Sequence, residues 1–167
     1  YVVFHGYAST LVDNDLNGVR DIFLHDCLTR ETELISITQD GGQTNERSDS
    51  PRISADGRFV TYASFATNIV PGDINESWDV FVRDRLKKTT EIVSVSSEGI
   101  LGNNLSRHPA ISANGRWIAY HSLTSNLVPG DDNGERDILF RDRFLNETIR
   151  LTKSSTGVEA DQRSYDP

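Results

Sequence analysis

Methionine is absent from this 167-residue chain, cysteine occurs once, and no apolar run approaches the roughly 20 residues that span a bilayer. Each shortage removes a class of protein. A lone Cys27 permits neither an internal disulfide framework nor a multi-cysteine zinc pattern. Twelve glycines and five prolines are too few for collagen, and 36% hydrophobic residues is too many for a disordered chain. Basic residues are in the minority. The 17 Lys and Arg against 25 Asp and Glu leave a net charge of −8, the wrong sign for a groove that neutralises phosphates. Neither nucleic acid nor a membrane span is therefore expected. Helical periodicity is missing too: apolar residues recur at every second position, the period of strands.

What the chain does have is a repeat. Asp21, Asp79 and Asp137 recur every 58 residues, as do Asp15, Asp73 and Asp131, and Asn17, Asn75 and Asn133. Ser54-Ala55-Asp56-Gly57-Arg58 returns as Ser112-Ala113-Asn114-Gly115-Arg116, and Pro51, Pro109 and Pro167 keep the same register without a gap. The chain is seven residues short of three full periods, so a cut at a repeat position within a longer array is expected.

Within the middle copy, residues 52–54 make a short strand A and Asp56-Gly57 a hairpin turn. Strand B covers 59–64, a long loop follows over 65–77, strand C covers 78–85 and strand D 90–96. Val80 and Val82 point to one face of strand C and Phe81 to the other. Four antiparallel strands per gapless repeat describe a propeller blade: an all-β chain of three tandem four-stranded units of 58 residues, either part of a propeller or half of a six-bladed ring. The divisions are 1–50 (a first blade without its innermost strand), 51–108 and 109–167. Meander order puts the B–C and D–A loops on one face and the tight turns on the other. Three blades leave open edges, so self-association through the exposed blade faces is expected.

The run Pro109-Ala110-Ile111-Ser112-Ala113-Asn114-Gly115-Arg116-Trp117-Ile118-Ala119-Tyr120 resembles the repeat of TolB-like, or PD40, β-propellers. Asp79-Val80-Phe81-Val82-Arg83-Asp84 resembles the strand that follows it there. The resemblance covers essentially the whole chain and implies a bacterial protein in the periplasm or outside the cell. It speaks to fold more than function, because such blades serve scaffolds, peptidase gates and lyases alike. The B–C loop is longer than in propeller repeats of about 40–50 residues.

That loop carries the sharpest chemistry. Asp13-Asn14-Asp15-Leu16-Asn17-Gly18-Val19-Arg20-Asp21 fits D-x-D-x-N-G-x-x-D, and calcium wants six to eight oxygens from a loop that folds back on itself. Candidate calcium ligands are Asp13, Asp15, Asn17 and Asp21 in the first copy and Asp131, Asn133 and Asp137 in the third. The second copy, with Asp73, Asn75 and Asp79 but Glu76 in place of Gly, is the poorest match. The competing reading is that these Asp and Asn side chains close their own turns.

The remaining candidates are weaker. His5 and His121 occupy equivalent strand B positions and read as packing or channel lining. His25 reads as a solvated strand position, His108 lies near the channel mouth with Tyr165, and Cys27 is incidental. Sequons at Asn75, Asn104 and Asn146 matter only in a eukaryotic secretory setting. No G-x-S-x-G occurs and almost every notable polar residue obeys the repeat, so no catalytic residues are assigned. The expected function is a non-catalytic scaffold that binds a protein or glycan on the face bearing the B–C loops. The alternative is an enzyme or enzyme-accessory propeller, of the hydrolase-gate or polysaccharide-degrading type.

Overall fold

Strands whose two faces are both apolar must be covered on both sides, and here the middle sheet is covered on each side by its neighbour in sequence. In a computed structural model that describes residues 1–13 and 15–167, three antiparallel meanders follow one another. The first has three strands, β1 (Val2–Gly6), β2 (Asp21–His25) and β3 (Thr32–Leu34), paired in that order. The second contains β4 (Ser48–Ile53), β5 (Phe59–Ser64), β6 (Asp79–Asp84) and β7 (Thr89–Ile92). The third contains β8 (Ser106–Ile111), β9 (Trp117–Ser122), β10 (Asp137–Asp142) and β11 (Glu147–Arg150). No helix occurs among the described residues.

Two hydrophobic layers fill the gaps between sheets. Ile22, Leu24 and Ile35 of the first sheet meet Val60, Tyr62, Ala66, Ile69 and Phe81 of the second. Val80, Val82 and Val93 of the second meet Ile118, Tyr120, Leu127, Val128 and Leu139 of the third. Strand β6 thus sends Phe81 into one layer and Val80 and Val82 into the other. Charged clasps cross the rim of each gap: Arg85 Nε donates to Glu33 Oε2 at 2.8 Å, and Arg143 pairs with Glu91. Gly115, at φ 71°, lies so close to the Phe59 ring that a side chain there would overlap it.

Two strands differ from expectation. Strand A starts at Ser48 rather than 52, and a register shift between Asp49 and Arg52 places Ser50 at φ 55° just before Pro51. Proline lacks an N–H, so the bulge absorbs the missing ladder bond. Strand D ends at Ile92, because Ser94 replaces backbone pairing with its side chain. Its hydroxyl accepts from Val80 N at 3.1 Å and donates to Asp79 at 2.6 Å.

The loops form one hydrogen-bonded collar. Asn17 Nδ2 donates to Thr44 O (3.2 Å), Asn75 Nδ2 to Gly102 O (2.9 Å) and Asn133 Nδ2 to Ala160 O (2.8 Å), tying each B–C loop to the D–A segment that follows. The next B–C loop grips the same segment from the other side. Asn45 exchanges bonds with Thr67 and Asn68, and Asn103 does so with Ser125 and Asn126. This face is therefore a braced surface.

Candidate functional site

Each predicted calcium loop contains a pair of facing carboxylates and one asparagine with a different task. Asn17 Oδ1 accepts from Val19 N at 3.1 Å, as Asn75 does from Ser77 and Asn133 from Glu135, so the asparagines close turns while their amides brace the collar. Asp13 is exposed, whereas Asp15 and Asp21 are buried. Asp21 Oδ1 accepts the Ser36 and Thr44 hydroxyls at 2.5 and 3.2 Å, and its Oδ2 has no partner. Burial, with repulsion from Asp21 added, raises the Asp15 pKa.

The second loop repeats this arrangement with even less compensation. Asp73 Oδ1 and Asp79 Oδ2 are buried without partners, and burial pushes their carboxyls up to about 6 and about 7. The third loop solves the problem internally. Arg150 Nη1 lies 3.6 Å from Asp131 and 3.4 Å from Asp137 and also pairs with Glu159. The equivalent positions in the other copies are Leu34 and Ile92. A guanidinium thus stands among the carboxylates of the third copy, where the first two copies have only apolar side chains.

A second group of side chains lies at the inner edge of the same face. Strand β8 starts at its B–C-loop end, and Arg107 pairs with His121 of β9. A bulge between Arg107 and Ala110 holds His108 at φ 51° before Pro109; Asp166, before Pro167, repeats that conformation at φ 47°. The two left-handed residues bring their side chains together, with His108 Nδ1 2.7 Å from Asp166 Oδ1. His121 stacks on His108 with ring centroids 4.8 Å apart, and Tyr165 meets His121 edge-on at 6.5 Å. His121 is 3% exposed and neither ring nitrogen has a partner. Burial first, then the charges of His108, Arg136 and Arg107, lowers its pKa to about 4, so the ring is neutral at pH 7.

Around this group the repeat keeps its contacts but changes their chemistry. Where the first copy pairs Arg20 with Asp49 at 2.8 Å, the second stacks Arg107 on Trp78 at 4.1 Å and the third stacks Arg136 on Tyr165 at 5.5 Å. Arg107 also pairs with Asp49. The sequence places His108 and Tyr165 at the channel mouth and reads His121 as packing or channel lining, whereas the structure adds His121 and Asp166 to the same group. The available signal was the variation itself: positions 58 apart that change chemical type converge here.

No family model and no curated protein matches the sequence. Solved structures do. TolB from Acinetobacter baumannii superposes with a TM-score of 0.52 at 18% identity, over 84% of this chain and 29% of that one. The fold is that of a TolB-like β-propeller. The propeller domain of the Trilobed protease from Pyrococcus furiosus gives 0.52 at 15% identity, over 78% of this chain and 33% of that one. The tricorn protease gives 0.51 at 15% identity, over 83% of this chain and 11% of that one. The chain thus spans a third or less of each of these proteins. Its blades share an architecture with TolB and with protease propellers, and among the described residues no helix is long and apolar enough to cross a membrane.

Proposed function

We propose that this chain is a non-catalytic binding region whose working surface is the B–C-loop face, and that its partner is a protein or glycan. The observation that supports this most is the gathering of His108, His121, Tyr165 and Asp166 at the inner edge of that face. The braced collar around them holds out two apolar tips, Leu16 and Ile74, each 83% exposed. A rigid surface loses little entropy on binding, and apolar tips set among polar groups suit a protein or glycan surface. One observation favours the opposite face instead: Leu28, Leu86 and Phe144 stand exposed at equivalent turns in all three copies. Paired substitutions separate the two. Leu16→Asp with Ile74→Asp should abolish capture from a glycan and secreted-protein panel, and Leu28→Asp with Leu86→Asp should leave it intact. The reverse pattern would overturn the assignment.

The loops themselves, in this reading, take up calcium in the first two copies. The support is the orphaned oxygens of Asp21, Asp73 and Asp79, and Arg150 standing among the carboxylates of the third copy. Calorimetric titration of chelated protein should give two ions per chain; no heat at millimolar calcium would end the idea.

Self-association completes the proposal. The first sheet leaves Val2 exposed and Phe4 only half-buried where Val60 and Tyr62 are buried, and the third leaves Leu151 49% exposed. The Arg–Glu clasp of the internal gaps is replaced at both open faces: Cys27 stands where Arg85 and Arg143 do, and Ile149 where Glu33 and Glu91 do. An apolar junction between the third sheet of one copy and the first of another fits these two replacements. Equilibrium sedimentation showing a monomer at high micromolar concentration would refute it. A periplasmic or extracellular location goes with this reading, supported by the fold likeness alone.

A further inference from the structure

We propose that His108, His121 and Asp166 form a binding site for a divalent transition metal ion of the zinc type. The site stands independently of the partner-binding reading and of calcium in the loops. One ligand atom from each residue lies within 4.8 Å of the others. Two imidazoles and a carboxylate are a donor set that zinc, and iron or nickel after it, accepts, with a further position left for water.

His121 is the observation that points to a ligand. A neutral imidazole carries one donor and one acceptor, and leaving both unpaired in a buried position is costly. Its ring is nevertheless held with both nitrogens free, between the His108 and Tyr165 rings. A metal ion supplies a partner for one of these nitrogens and needs the imidazole unprotonated, the state in which burial keeps it.

The other two residues have the freedom to close on an ion. Zinc bonds of about 2.0–2.2 Å place its ligands closer together than 4.8 Å, so the side chains must draw in. His108 and Asp166 are exposed and can do so by rotation, while buried His121 serves as the fixed anchor. Arg107 is paired with Asp49 and Arg136 lies over the Tyr165 ring, so both guanidinium groups are held in their own contacts and neither is bonded to a ligand of the ion, while the Asp166 carboxylate brings the site's own negative charge.

The repeat itself explains why the site is single. The corresponding trio one copy earlier is Ser50, Ala63 and His108, with one ligand-type side chain in place of three. Those residues also supply conservative test variants, since each already stands at the equivalent place in the same fold.

Chelated, metal-free chain is titrated with Co²⁺, read by its visible d–d bands, and with Zn²⁺, read by heat. One ion per chain is expected from this site, distinguishable from the oxygen-only loops because Zn²⁺ competes out the Co²⁺ spectrum and excess Ca²⁺ does not. His121→Ala and Asp166→Ser should each weaken binding by about tenfold or more. His25→Ala, on the far face, should leave it unchanged. The proposal is overturned by the absence of a Co²⁺ spectrum and a Zn²⁺ heat in the unaltered chain, or by binding that survives His121→Ala.

Discussion

Replacing Arg150 by leucine, the residue at that position in the first copy, tests the electrostatic logic of the B–C loops. Arg150 is the cation shared by Asp131, Asp137 and Glu159, and the two aspartates are almost fully buried. Removing one partner from a buried ionic group leaves its counter-charges uncompensated and costs about 3–5 kcal/mol. For a chain of this length that is a fall in melting temperature of order 10 °C. The loss should depend on pH in a definite direction. The Asp131 carboxyl is already raised to about 6, chiefly by burial and then by Asp137, and losing Arg150 raises it further. A carboxyl whose folded pKa lies above its unfolded value destabilises the fold as pH rises through that window, so the deficit should be largest near pH 8 and shrink towards pH 5. Urea unfolding at both pH values, in chelator, measures it. Millimolar calcium should then recover part of the loss, by about 2.7 kcal/mol at a hundredfold excess over the dissociation constant. A cost below about 1 kcal/mol that does not vary with pH would contradict the idea that these carboxylates need a cation.

Asp79→Asn removes the uncompensated charge of the second loop. Because Asp79 titrates at about 7 in the fold against 3.8 when unperturbed, chelated wild type loses stability between pH 4 and 7, and the variant should be about 2–4 kcal/mol more stable at pH 8 and unchanged near pH 4. Gly115→Ala should cost more than the roughly 1 kcal/mol of a positive-φ substitution, since its Cβ overlaps the Phe59 ring; a thermal melt that does not move would refute that packing. Asn103→Ala breaks the two side-chain bonds that join it to Ser125. It should lower stability by about 1–2 kcal/mol and speed hydrogen exchange at the Ser125 amide, whereas an unchanged exchange rate would mean that the collar is not braced there.

The repeat made the blades legible. A gapless period with alternating apolar residues leaves little choice of architecture, and Val80, Phe81 and Val82 mark both faces of their strand by alternation alone. Strand A begins earlier than its sequence suggests, because Pro51 reads as a strand breaker while the chain pairs on both sides of it through a bulge. Strand D reads as longer than it is because Val93 and Val95 keep the alternation, although Ser94 takes the Val80 amide with its side chain. The acidic loops were found, but not their division of labour. Spacing alone does not distinguish an asparagine that closes a turn from one that holds an ion, and it does not show Arg150 reaching from another strand. The His108–His121–Asp166 group is the hardest to see, because its members come from a strand start, a strand end and the unpaired segment after β11, 13 and 58 residues from His108.

The most direct test of the loop-bearing face as the working surface is oriented display. Cys27 is the sole cysteine and is exposed at a turn on the far face, so tethering through it presents the B–C loops. A Cys27→Ser, Ile74→Cys variant, tethered through its new thiol, buries them against the support. Screened against the same glycan and secreted-protein panel, the chain held by Cys27 should capture its partner and the chain held at position 74 should not. Capture that persists in the second orientation and disappears in the first would contradict the account.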